Sequence, residues 1–279
     1  MNSFKVFMLM GLLSILLVLL GNVIGGKSGA LLFFIIAMGM NFFSYFYSDK
    51  IAIKMTGSKP ISEAEAPQLY DMVRMLTSRA GIPMPKLYIT PSNQPNAFAT
   101  GRNPSHAAVA VTEGILHLLN RSELEGVLAH ELAHIKNRDV LIGTIAAAFA
   151  GAITMMANVF QWSAILGIGR DDEEEGGSML GGLVLAFIAP IAATIIQLAI
   201  SRSREYTADA TGANIAGSPA GLANALLKLE SAAHRVPMQV NPAASHLFIV
   251  NPLSGASLIR LFSTHPPIED RVQRLRSMR

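Results

Sequence analysis

The chain has 279 residues, of which 51% are hydrophobic and only 15% charged, with a mean hydropathy of +0.40. That balance departs from a soluble globular domain and points to a bilayer. The formal charge of +3 comes without a lysine or arginine block, so nothing suggests a nucleic-acid partner. The absence of cysteine excludes disulfides and thiolate ligands, so a metal site here would have to use His and carboxylates.

Stretches 6–26, 28–48, 140–169 and 176–201 contain no Asp, Glu, Lys or Arg. Each reaches the roughly 20 residues that a helix needs to cross the hydrocarbon core. Lys5 before the first stretch resembles the start of a secretory signal. No small-x-small cleavage site follows it, and a second apolar stretch begins almost at once, which favours an uncleaved anchor. Gly181, Gly182 and Pro190 soften the fourth stretch, so it is expected to kink or to span imperfectly. Lys5, Lys50, Lys54, Lys59, Lys136, Arg138, Arg202 and Arg204 fall on one side of a four-span arrangement, with Lys27 and Arg170 on the other. Positive charge therefore places both termini and the large polar blocks in the cytoplasm. The division expected is two spans in 1–48, a first catalytic part in 49–139, a membrane hairpin in 140–201 and a second catalytic part in 202–279.

Within the first polar block, Leu69, Val73, Leu76 and Ala80 recur at helical spacing before a stop at Gly81 and Pro83. Runs 86–90, 96–100 and 107–112 lean toward strands and are separated by Pro, Asn and Gly, which predicts a small sheet. Ser122 and Glu125 form a capping box for a helix expected to run through Asp139. Further helices are expected over 202–216, 220–234 and 268–278, the last introduced by Pro266 and Pro267. The fold class is thus a mostly α integral membrane protein with four transmembrane helices and a cytoplasmic α+β domain.

His130, Glu131 and His134 form a His-Glu-x-x-His motif on the capped helix. Positions i and i+4 share a helix face, so both imidazoles can reach one ion. Glu131, on an adjoining face, can take a proton from the attacking water instead of binding the metal. A catalytic zinc needs a third protein ligand and an open position. Glu205 offers that ligand, with Asp209 one turn later as an acceptor for a ligand imidazole. The plainer alternative is a carboxylate pair balanced by Arg202 and Arg204. His134 lies just before the third stretch and Glu205 just after the fourth, so each ligand falls within roughly 10 Å of the hydrocarbon boundary. The two ligand helices are therefore expected to continue into the spans, with the metal close to the membrane surface.

Two N-terminal spans, the His-Glu-x-x-His helix before an apolar hairpin, the Glu-x-x-x-Asp segment and the terminal His-Pro-Pro together resemble the HtpX family of membrane-bound zinc endopeptidases, relatives of the CAAX prenyl-protein peptidases. The resemblance covers essentially the whole chain. It implies a zincin-like (gluzincin) catalytic domain holding one Zn2+ on His130, His134 and Glu205, with Glu131 as general base. It implies that His265 and Arg271 face the scissile carbonyl, although His265 equally suits a helix cap. His246 matches a loop that covers the metal in some relatives. Asn96, Ala97 and Phe98 match an edge strand to which substrate adds, beside the plain alternative of a core strand with Phe98 inward. His106, His117 and His234 read as surface or satisfied histidines. The resemblance further implies a bacterial inner-membrane enzyme that degrades misfolded membrane proteins beside an ATP-dependent membrane protease.

Two rivals come from other classes. A metal-stabilised membrane scaffold or chaperone adaptor has no use for a base at Glu131, and its site would be closed by four ligands. A transporter would place ionisable residues within the spans, where only groups such as Asn41, Asn158 and Gln197 occur.

Overall fold

Backbone angles at Gly25 (φ −138°, ψ 22°) and Gly26 (φ 55°, ψ −144°) break the long helical run α1 (Asn2–Phe46) into two arms. The computed structural model describes residues 2–143, 145, 202–233, 235–236, 247–250 and 266–278. The arms of α1 lie side by side. Gly21 and Gly29 approach so closely that a Cβ on either would collide with the other's carbonyl oxygen. Farther along, Asn41 Nδ2 donates to Ser14 Oγ at 2.8 Å. Leu13, Leu17 and Ala37 are buried between the arms, whereas Phe7, Leu19, Leu31, Phe34 and Ile35 are exposed. An apolar outer surface is what a lipid-facing helix pair presents. Among the described residues, Gly25–Phe46 is long and apolar enough to cross a membrane, and Val6–Leu19 is a shorter apolar helix. Apart from residues 140–143 and 145, the third and fourth stretches expected to span lie outside the described residues.

After α2 (Ser48–Met55) and the short β1 (Lys59–Pro60), helix α3 (Pro67–Ala80) starts with proline at its first turn and ends at left-handed Gly81, φ 69°. It buries Leu69, Val73, Leu76 and Ala80, the stripe that its sequence spacing predicts, and Met72 beside them. Strands β2 (Lys86–Thr90), β3 (Ala97–Gly101) and β4 (Ala107–Thr112) join β1 in the order β1-β2-β4-β3. β2 and β4 are parallel, and β3 runs antiparallel to β4 at the sheet's edge. Both faces of β3 are covered. Ala97 and Ala99 belong to the main core, while Phe98 packs with Ala52, Ala110 and Phe248 on the opposite side.

Helix α4 (Glu113–Leu118) leads to the central helix α5 (Arg121–Asn137). Its capping box is Asn120 with Glu123, not Ser122 with Glu125. Asn120 Oδ1 accepts from the Glu123 N–H at 3.0 Å, and Glu123 Oε2 accepts from the Asn120 N–H at 2.9 Å. Asn caps as well as Ser, so two frames two residues apart competed, and the earlier one won. Ser122 instead donates to Asn120, and Glu125 pairs with Arg121. Nor does the helix reach Asp139: Arg138, at φ 58°, ends it. Helices α6 (Arg202–Ala216), α7 (Ala220–Ala233) and α8 (Ile268–Ser277) complete the described chain and fall where the sequence places them, to within a residue. α5 packs against α6 and α7 and against β3, which makes it the axis of the core.

Candidate active site

The helical repeat of α5 sets the rings of His130 and His134 edge to face, with their Nε2 atoms 3.1 Å apart. α6 crosses at this level with Gly212 against the His130 backbone, where a Cβ would lie 2.9 Å from the His130 Cα. That close crossing carries Glu205, two helical turns earlier, to the rings. Its Oε1 lies 3.5 Å from His134 Nε2, and its Oε2 lies 3.7 Å from His130 Nε2. Ligands of a tetrahedral zinc with bonds of about 2.0–2.1 Å stand about 3.3 Å apart. The separations of 3.1, 3.5 and 3.7 Å, the last two to different oxygens of Glu205, bring the three side chains within reach of a single ion. His130, His134 and Glu205 are the cluster of metal-binding type found among the described residues. The His130 side chain is 1% exposed and that of His134 is 16% exposed, so the site opens on the His134 side.

Each imidazole also meets a carboxylate through its far nitrogen. Asp209 Oδ1 lies 2.9 Å from His130 Nδ1, the pair that the sequence suggests, close but not aligned as a hydrogen bond. Asp139 Oδ1 lies 3.0 Å from His134 Nδ1, a contact that no sequence spacing predicts. Its one signal is a carboxylate immediately past the end of the ligand helix. A proton on Nδ1 leaves the Nε2 lone pair for a metal.

Arg271 completes the buried cluster. Its Nε and Nη2 donate to Asp209 at 2.9 and 2.7 Å, and Nη2 lies 3.4 Å from His130 Nε2. Its Nη1 makes no hydrogen bond and lies 3.7 Å from Glu205 Oε2. Burial pushes the Asp209 carboxyl up, but Arg271 and His130 outweigh it and hold the group at about 2. Burial likewise works against charge on His134, yet Asp139, Glu205 and Glu131 raise it to about 10. Arg271 is raised because Asp209, Glu205 and Glu131 outweigh its burial.

Glu131 is buried and lines the same cavity as His130, His134, Glu205 and Ala99 of β3. Leu247, Ile249 and Val140 supply apolar wall. The edge of β3 is partly taken. The Ile249 N–H donates to the Ala97 carbonyl at 3.1 Å, and the Asn96 amide donates to the Val250 carbonyl at 2.7 Å. Asn96 and Ala97 therefore hold residues 247–250, and Phe98 points inward as the plain alternative has it. His246 and His265 lie outside the described residues, as does His234, whereas His106 and His117 are exposed.

Comparison with known proteins matches the profile described as Peptidase family M48 to residues 63–279. The Protease HtpX homolog of Pelotomaculum thermopropionicum is 75% identical over the whole chain and 99% of its own length. The chain belongs to peptidase family M48. The Protease HtpX homolog of Aquifex aeolicus is 56% identical over 93% of the chain and 87% of its own length. The crystal structure of S. mikatae Ste24p shares the fold, with a TM-score of 0.51 at 18% identity over 86% of this chain and 57% of Ste24p. With the ligand triangle in place, M48 membership makes the chain a membrane-associated, zinc-dependent metalloprotease.

Proposed function

We propose that the chain hydrolyses peptide bonds of misfolded or damaged membrane proteins at the cytoplasmic face of a bacterial inner membrane, as part of membrane-protein quality control. Residues 1–48 and 140–201 would supply four membrane-crossing helices. Residues 49–139 and 202–279 would join as one cytoplasmic catalytic domain, with both termini on that side. The observation that carries this proposal is the lining of the metal cavity: Asp139, Val140 and Gly143, at the start of the third apolar stretch, share it with His134 and Glu205. A polypeptide leaving the bilayer would meet the scissile site at that junction. An ATP-dependent membrane protease is the partner expected to work beside it.

Zinc held by His130, His134 and Glu205 would supply the Lewis acid that polarises the scissile carbonyl and makes water reactive near neutral pH. Glu131 would accept the proton of the attacking water and pass it to the leaving amine. Arg271 would brace Asp209 from outside the cavity lining, with its side chain fully buried, which leaves the oxyanion role that the family resemblance implies to His265. An extended substrate would pair with β3 at the Ala99 stretch, since residues 247–250 already use the Ala97 end.

The test uses the full chain in detergent with zinc and an unfolded membrane-protein substrate. Glu131→Gln should retain zinc and lose cleavage by about 10²–10⁴-fold. Undiminished cleavage by the variant would remove Glu131 from its role. A soluble unfolded protein cut as fast as a membrane protein in vesicles would remove the membrane-substrate assignment.

A further inference from the structure

Arg138 is the one non-glycine residue with positive φ among the described residues, at 58°. A left-handed arginine costs on the order of 1 kcal/mol and persists only where its surroundings over-determine it. It stands between the second ligand imidazole and the third apolar stretch. If α5 ran on, residue 139 would lie about 140° around the helix from His134, with its side chain turned away from the ring. The turn at Arg138 reverses that. The Asp139 N–H returns to the His134 carbonyl at 3.2 Å, and the Asp139 carboxylate comes to 3.0 Å from Nδ1. The carboxylate is buried, its side chain 4% exposed, whereas the His134 ring beside it is 16% exposed. His130 is held by packing on all sides. His134 is the more exposed of the two rings, and Asp139 is the group that meets its Nδ1.

Residues just beyond Asp139 fix the turn. The Ile142 N–H donates to the Asp139 carbonyl at 3.2 Å, and Leu141, Ile142 and Ile145 are buried against Val6, Leu9, Leu13, Leu17 and Ala37 of α1. The chain of contact runs unbroken from the N-terminal hairpin to the metal site: α1, the first turn of the third stretch, Asp139, His134.

We propose that Asp139 is the positioning residue of His134 and that packing of the α1 hairpin, acting through Asp139, sets the zinc affinity of the site. The proposal rests on His130, His134 and Glu205 being the ligands. Its physical content is that a held Nδ1–H fixes both the tautomer and the ring plane of the less buried ligand.

Zinc affinity is measured on the full chain in detergent by competition with a chromophoric chelator, and ligand geometry by the visible spectrum of the cobalt-substituted protein. Asp139→Ala should weaken zinc binding about 10–100-fold and alter the cobalt spectrum. Asp139→Asn, which keeps the shape and an oxygen acceptor, should lose less. The double variant Leu13→Ala/Leu17→Ala, remote from the site, should weaken zinc binding in the wild-type background, add less in the Asp139→Asn background and add nothing in the Asp139→Ala background. Zinc binding within twofold of wild type in Asp139→Asn and Asp139→Ala alike, or hairpin effects that simply add to those at residue 139, would overturn the proposal. If Asp139→Ala does not fold, the Asp139→Asn cycle decides the matter alone. Glu205→Ala separates the underlying assignment: it should abolish tight zinc binding, and retained zinc would overturn the ligand set on which the proposal stands.

Discussion

Arg271 clasps Asp209 through two hydrogen bonds, Nε to Oδ2 at 2.9 Å and Nη2 to Oδ1 at 2.7 Å, where the arginine side chain is fully buried and the aspartate nearly so. The pair ties α8 to α6 directly behind the ligand imidazole of His130. Two desolvated charges are tolerable only together, because each alone bears a large cost of burial.

Removal of the cation is therefore expected to be severe. Arg271→Leu should destabilise the zinc-free fold by about 3–5 kcal/mol, since it strands the Asp209 charge in the core. Arg271→Lys should recover only part of that loss, because an ammonium group cannot reproduce the planar two-point contact. Denaturant unfolding of the chelated protein reads both values. A Leu variant within 1 kcal/mol of wild type, on the scale of an exposed pair, would mean that the pair is not desolvated in solution.

The same pair predicts an acid response. The Asp209 carboxyl is depressed to about 2 from an ordinary value of 3.8. A depressed carboxyl stabilises the fold above its unfolded value and loses that contribution as pH falls through its folded value. The contribution, on the order of 2 kcal/mol, should thus be intact above about pH 4 and disappear as pH falls from there to about 2. Unfolding free energy of the zinc-free chain, followed across that window, should fall less steeply in Asp209→Asn than in wild type. Parallel pH profiles for the two proteins would locate the acid-labile group elsewhere.

Local chemistry was legible in the sequence, and long-range choices were not. Glu205 and Asp209 could be assigned because one helical turn separates them and a zinc site needs both a ligand and an acceptor. The stripe of α3 and the three longer strands were likewise readable from spacing and from Pro, Asn and Gly boundaries. Asp139 was hidden because nothing local demands a left-handed arginine. The residues just past the turn at Arg138 pack on α1, a contact between distant segments that spacing cannot encode. The cap of α5 was misframed because Asn120 and Ser122 each have a glutamate three residues on, and the choice between them depends on the entering backbone. Arg271 came from family resemblance alone, since its partner lies 62 residues away and no periodicity connects them. The use of β3's edge by residues 247–250 is of the same kind: Asn96 meets Val250 across 154 residues.

Gly212 gives the most direct test of how the fold makes the metal site. A Cβ there would sit 2.9 Å from both Cα and N of His130 and 3.2 Å from the carbonyl carbon of Ala129, all rigid backbone in the middle of α5. Neither helix can yield locally, so Gly212→Ala should push α6 away from α5 as a body. Glu205 and Asp209 ride on α6, so both their distances to His130 should lengthen together. Overpacking of this kind costs about 1–3 kcal/mol, and zinc affinity should fall in the same protein without any change to a ligand. Gly11→Ala is the matched control, because a Cβ at Gly11 meets nothing within 4 Å. Zinc titration beside thermal unfolding distinguishes the outcomes. A variant that loses stability yet binds zinc as wild type does would show that α6 is held at the site by something other than its crossing at Gly212.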